Sequence, residues 1–139
     1  MKKEKLLNML GEIDTEREVR LVAMFSLENL PTIAVAAKMR GRGWSEYVLD
    51  TKVNLAQFKE QLAKLAPDEF FTLGRSPECE HRIGYEELQK YFKENKHGEA
   101  DYYYERHSLA GRIHCFIQKR DNNLFALYDY SVRGTCIIF

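Results

Sequence analysis

The chain has 139 residues, 21 Lys plus Arg against 21 Asp plus Glu, and 12% aromatic side chains. That length suits one globular domain, 1–139, able to bury a core without staples, and the apolar content excludes a disordered chain. Zero net charge, spread evenly with no basic or acidic tail, argues against a non-specific nucleic-acid binder, which needs a basic excess to displace counterions.

Residues 2–10 predict a short amphipathic helix. Leu6, Met9, Leu10 and Ile13 follow the spacing that sets one apolar stripe on one face, and Gly11 is the expected stop. The same stretch fails as a secretory signal, because Asn8, Gly11 and Glu12 interrupt its apolar core. No apolar run approaches the ~20 residues of a membrane span. Cys79, Cys115 and Cys136 are an odd number at irregular spacing, which suits reduced thiols. The chain reads as a soluble cytoplasmic protein with no membrane partner.

Residues 18–50 carry two patterns. Val19, Leu21, Ala23 and Phe25 alternate, as do Ile33, Val35, Ala37 and Met39, with turns at Glu28–Pro31 and Arg40–Gly43. This predicts a three-stranded antiparallel meander ending in Trp44–Asp50. The competing helical reading rests on the capping box Thr15-x-x-Glu18, Pro31 as a first helical residue and Ala34, Ala36 and Ala37. Alternation on both sides of hairpin-type turns favours strands.

Asn54 is the expected cap of a second helix with the stripe Leu55, Phe58, Leu62 and Leu65, stopped by Pro67. Phe70, Phe71 and Leu73 predict a short buried strand, and residues 74–84 a charged loop. Tyr85, Leu88 and Phe92 mark a third helix closed by His97-Gly98. Tyr102–His107, Arg112–Lys119, Leu124–Val132 and Thr135–Phe139 are then expected as strands. The fold class is α+β: a mixed, mainly antiparallel sheet, with an N-terminal meander and C-terminal hairpins, covered by about three helices.

No cofactor or catalytic motif stands out: GxxxxGK[ST] is absent, as is GxGxxG after a strand. Cys79 and His81 supply two metal-ligand types, but not the paired spacing of a structural zinc site, so no metal is expected. Cys79 is the one cysteine placed for activation, in a polar loop beside His81. Glu78, Glu80, Glu86 and Glu87 around His81 and Arg82 read as solvated acids rather than a general acid and base.

Two surfaces carry binding chemistry. Lys38, Arg40 and Arg42 cluster on a glycine-permissive turn beside Trp44, with Tyr47 following. Guanidinium groups there suit phosphates, and Trp44 suits a stacked base. Residues 42–49 depart from the RNP1 motif of RNA-recognition domains, whose aromatics lie two apart on one face. Trp44 and Tyr47 are three apart. The second surface is Tyr102, Tyr104, Arg106 and Arg112, residue types that dominate protein interfaces and also suit a phosphorylated ligand.

The expected function is a small non-enzymatic binding module of inhibitor or adaptor type. It would contact another protein through Tyr102, Tyr104, Arg106 and Arg112, without a cofactor. One alternative is RNA or single-stranded DNA binding through Lys38, Arg40, Arg42, Trp44 and Tyr47. The other is binding or turnover of a small nucleotide-like or phosphorylated ligand. Thr135–Phe139 could also pair across a two-fold axis into a homodimer.

Overall fold

The computed structural model describes residues 1–14, 16–35, 52–95, 99–107, 110–132 and 134–139. In chain order these form α1 (Lys3–Ile13), β1 (Arg20–Phe25), β2 (Thr32–Val35) and β3 (Lys52–Asn54). A 3-10 turn (Leu55–Phe58) leads into α2 (Lys59–Ala63), β4 (Phe70–Gly74) and β5 (His81–Arg82). Then come α3 (Tyr85–Asn95), α4 (Ala100–His107), β6 (Cys115–Asp121), β7 (Leu124–Asp129) and β8 (Thr135–Ile138).

Two sheets share one apolar core. The larger has the order β1-β7-β6-β4-β5, antiparallel except for the β4–β5 pair, and the smaller is the antiparallel set β3-β2-β8. Phe71 and Leu73 of β4, Ile117 of β6 and Leu127 of β7 meet Ile33, Val35 and Val53 of the smaller sheet in that core. Phe70 and Phe116, on the opposite face, pack with Leu6 and Leu10 of α1. Both faces of the central strands are therefore covered, which is why they read as continuous apolar runs and not as clean alternation. The α+β class with a mixed, mainly antiparallel sheet and three longer helices holds among the described residues.

The helix stripe Leu6, Met9, Leu10 and Ile13 faces this second cluster as expected. Gly11 does not end α1. The helix runs on to Ile13, and the Asp14 N–H donates to the Leu10 carbonyl at 3.1 Å. Asn54 caps as read, its side chain accepting from the Ala56 N–H at 3.0 Å.

Pairing in the N-terminal third differs from a simple meander. β1 pairs with β7, whereas β2 pairs with β3 and β8. Alternation says which side chains turn inward, but not which strand lies alongside. Phe25 and Ile33 both feed the shared core, one from each sheet. The Trp44–Asp50 strand lies outside the described residues.

The clearest correction concerns Tyr102–His107, which is helical and not a strand. Three consecutive tyrosines favour strands by propensity, but α3 offers them an apolar partner, and packing overrides propensity. Neighbours Tyr103 and Tyr104 both turn toward α3, a helical and not an alternating pattern. Phe92 meets Tyr103, and Tyr85 meets Tyr104, edge to face at 5.0 and 5.1 Å. The Tyr85 hydroxyl also donates to Asp101 in the first turn of α4.

Tyr104 is wholly buried, and its hydroxyl donates to the Ile83 carbonyl at 2.6 Å. Two measurements follow from these helices. Tyr104→Phe should cost about 1 kcal/mol in urea unfolding through the lost bond, and Tyr104→Ala about 3–5 kcal/mol. A change within 0.5 kcal/mol for the alanine variant would place the ring outside the core. Gly11 lies in the last turn of α1 and an added Cβ there meets nothing within 4 Å, so Gly11→Ala should stabilise the fold by about 0.5–1 kcal/mol.

Candidate functional site

Backbone pairing continues past the end of β4 and builds the most distinctive site. The His114 N–H donates to the Leu73 carbonyl at 2.9 Å, Arg75 N–H to Gly111 at 2.8 Å and Ser76 N–H to Arg112 at 3.1 Å. This approach needs glycine at 74, because a Cβ there would lie 2.3 Å from the Arg112 carbonyl oxygen. The result sets Arg75 and Arg112 on the wall of one cleft of about 240 Å³, joined by Arg17 from the segment between α1 and β1. Gly111, His114 and Ser131 line its polar remainder, and Ile13 and Val132 its apolar rim.

The three guanidinium groups are unequally committed. Arg17 donates to the Tyr130 carbonyl at 3.1 Å, lies 4.9 Å from the centre of the Tyr130 ring, and has its Nε 3.7 Å from the Asp14 carboxylate. Arg75 donates through one terminal nitrogen to the Glu105 carbonyl at 3.1 Å, while its Nε is buried with no hydrogen-bond partner. Arg112 is exposed, and its side chain forms no ion pair among the described residues. An arginine fork matches tetrahedral and planar oxyanions through paired donors.

A buried polar network holds the floor. The Gly111 N–H donates to His114 Nδ1 at 3.1 Å, so that nitrogen carries no proton, and Nε2, 3.1 Å from the Gly134 carbonyl oxygen, donates to it. Asp129 Oδ1 accepts from Ser131 N–H (3.1 Å), Ser131 Oγ (2.6 Å) and Thr135 Oγ1 (2.8 Å), and its Oδ2 accepts from Arg20 at 2.8 Å. Burial pushes the Asp129 pKa up, but the bonds from Ser131 and Thr135, aided by Arg20, outweigh it and hold the carboxyl below its ordinary range. His114 is shifted down by burial, against the opposing pull of the Gly134 bond and the Asp129 charge. With both ring nitrogens engaged, His114 has no lone pair free for general-base work.

The residues singled out from sequence are dispersed. Arg112 lines the cleft in the segment before β6 and not on a strand face. Tyr102 is 59% exposed on α4 and Arg106 lies on the same helix, but Tyr104 is core, so the four do not form one uncovered sheet face. Lys38, Arg40, Arg42, Trp44 and Tyr47 lie outside the described residues. β8 is an edge strand of the smaller sheet.

Cys79 is buried, its thiol donates to the Arg112 carbonyl, and burial pushes its pKa up to about 12, the reverse of an activated nucleophile. Glu80 accepts from both the N–H and the hydroxyl of Thr72, and Glu78 pairs with Lys5. Among the described residues no three His, Cys, Asp or Glu side chains converge on a point a metal ion could fill. No described helix is long and apolar enough to cross a membrane.

Sequence reading missed Arg17, Arg75, Gly74 and Ser131. They come from separate segments, and no spacing rule joins them. The one available signal was Gly74 directly before Arg75, which marks a close backbone approach.

The neutral state of His114 sets a pH dependence. Its folded pKa lies below the ordinary 6.5, so the unfolded chain binds the proton first and stability falls as pH drops below about 6.5. His81, also lowered chiefly by burial, acts in the same window. The urea midpoint should therefore decline from pH 7 to 5, and His114→Gln should flatten that decline in part. An unchanged slope in the variant would mean that His114 is not buried neutral. Against known proteins, no family model, no curated protein and no solved structure matches the chain.

Proposed function

We propose that the protein is a binding module whose arginine-lined cleft takes an oxyanion, above all a phosphoryl group. The observation that carries this reading is the buried Arg75 Nε without a partner, on a cleft that also holds Arg17 and the exposed Arg112. A buried donor left unsatisfied costs on the order of 1–3 kcal/mol. A ligand oxygen in the cleft would meet the guanidinium groups of Arg112 and Arg17, and one that drew the Arg75 side chain toward it would also remove that cost.

Size narrows the ligand. At about 240 Å³ the cleft is smaller than the ~300–1,000 Å³ of sites that enclose whole small molecules. It suits one anionic group with a few attached atoms and leaves the rest of the ligand outside. Binding without turnover is the simpler reading, because His114 is occupied at both nitrogens and Cys79 holds its proton. This reading keeps the adaptor-type role expected from the sequence and moves the proposed contact from a tyrosine-rich strand to the cleft.

Titration calorimetry with inorganic phosphate and phenyl phosphate at ~50 mM salt tests the reading. Saturable binding at one site is expected, weakening as salt rises. Arg112→Ala should reduce affinity at least tenfold, since a hydrogen bond to a charged group contributes about 1.5–3 kcal/mol. Arg112→Lys should recover only part, because a point charge replaces a fork. Heat-silent titrations with no thermal shift at 20 mM of either compound would end this reading.

A further inference from the structure

We propose that the cleft and the free edge of β1 together take a phosphorylated, extended peptide segment of a partner protein. The inference rests on the oxyanion reading of the cleft and adds what the phosphoryl group is attached to.

Among the described residues β1 is the terminal strand of the larger sheet, with β7 as its only strand neighbour. Its outer row of backbone donors and acceptors therefore has no strand partner among the described residues. Natural edges are usually guarded by charge or proline. From Leu21 to Met24 this one carries neither, and it presents Leu21, Val22 and Met24 at 51%, 39% and 44% exposure. An unguarded edge flanked by apolar side chains is the template for strand addition, in which backbone bonds supply affinity and side-chain contacts supply selectivity.

The Arg20 end of β1 is tied to the cleft through the chain on both sides of the β1–β7 pair. Arg20, first residue of β1, is opposite Asp129, last residue of β7, and Ser131 on the cleft wall comes two residues later. Arg17 stands three residues before β1, so its Cα is at most about 10 Å from that of Arg20. A strand added to β1 and leaving at the Arg20 end carries its next two to four residues toward the cleft at about 3.3 Å each.

Charge selects phosphate over a terminal carboxylate. Asp14 lies 3.7 Å from Arg17 and offsets part of that charge, leaving Arg75 and Arg112 without a carboxylate partner among the described residues. Two uncompensated guanidinium groups match the charge of about −1.5 to −2 on a phosphorylated side chain at pH 7. A nucleic-acid strand fits less well, because its evenly spaced phosphates would run over the apolar stretch of β1.

The test uses the full chain. Degenerate nonapeptide libraries centred on phosphoserine, phosphothreonine or phosphotyrosine, with unphosphorylated counterparts, are passed over immobilised protein, and the best-retained peptide is resynthesised. It should bind at least tenfold tighter than the matching free O-phosphoamino acid and lose at least tenfold on removal of the phosphate. Methylating its alternate backbone nitrogens in the register that faces β1 should cost a similar factor. Amide exchange in Leu21–Met24 should slow on binding. If no peptide exceeds the free phosphoamino acid, or exchange in β1 is unchanged, the inference fails. Tighter binding of a single-stranded RNA nonamer would equally overturn it. In any of those cases, phosphate binding that is lost in Arg112→Ala leaves the oxyanion reading standing, whereas absence of phosphate binding removes both.

Discussion

The close approach of Gly74 to the 111–114 backbone is the constraint on which the rest of this molecule depends. With an Arg112 carbonyl oxygen 2.3 Å from where a Cβ would sit, no other residue fits without shifting the chain. The contact sets the register of three inter-segment hydrogen bonds, from His114, Arg75 and Ser76. It also delivers the Gly74 carbonyl to the Ile83 N–H at 2.9 Å, holding β5 and the start of α3 against the sheet. Arg82 then donates to the Arg75 carbonyl and stacks over Tyr85 at 4.0 Å, so one narrow backbone crossing fixes the cleft on one side and the helical pair on the other.

Around that crossing the protein buries polar groups that an apolar core would reject. Asp129 is 1% exposed, and an isolated carboxylate there would be costly. Four donors meet it, from Ser131, Thr135 and Arg20, so the charge is distributed and held in place. His114 is equally buried and equally satisfied. Such a network is rigid because loss of any member leaves another uncompensated. A rigid floor helps hold nearby guanidinium groups close against their mutual repulsion, which under the proposed reading an anion would relieve.

Much of the fold was legible in the residues. The α1 stripe, the Asn54 cap and the apolar β4 run each depend on chemistry within a few positions, and each formed where that chemistry put it. What was not legible depended on distant partners. β1 and β2 carry correct alternation but belong to different sheets, because alternation encodes a face and not a neighbour. Tyr102-Tyr103-Tyr104 favour a strand until Leu88 and Phe92 on another helix offer them a packing surface. The cleft was half visible: Arg112 was marked for its type, yet the partners that give it meaning lie far along the chain.

Net neutrality hides the cleft for a related reason. Twenty-one positive and twenty-one negative side chains suggest no preference for an anion. The structure, however, spends its carboxylates elsewhere: Asp68 on Lys2, Glu78 on Lys5, Glu105 on Arg82 and Asp129 on Arg20. Each such pair removes one positive and one negative charge from the local field, and exposed pairs contribute little else. Among the described residues neither Arg75 nor Arg112 forms an ion pair, and Arg75 donates instead to the Glu105 backbone carbonyl, which satisfies a donor without cancelling charge. A chain neutral in sum can thus hold a locally positive cleft, and its attraction extends only about a Debye length, ~8–10 Å at ordinary salt. Under the proposed reading, a ligand would be selected by what it places inside the cleft, and not by long-range attraction to the whole protein.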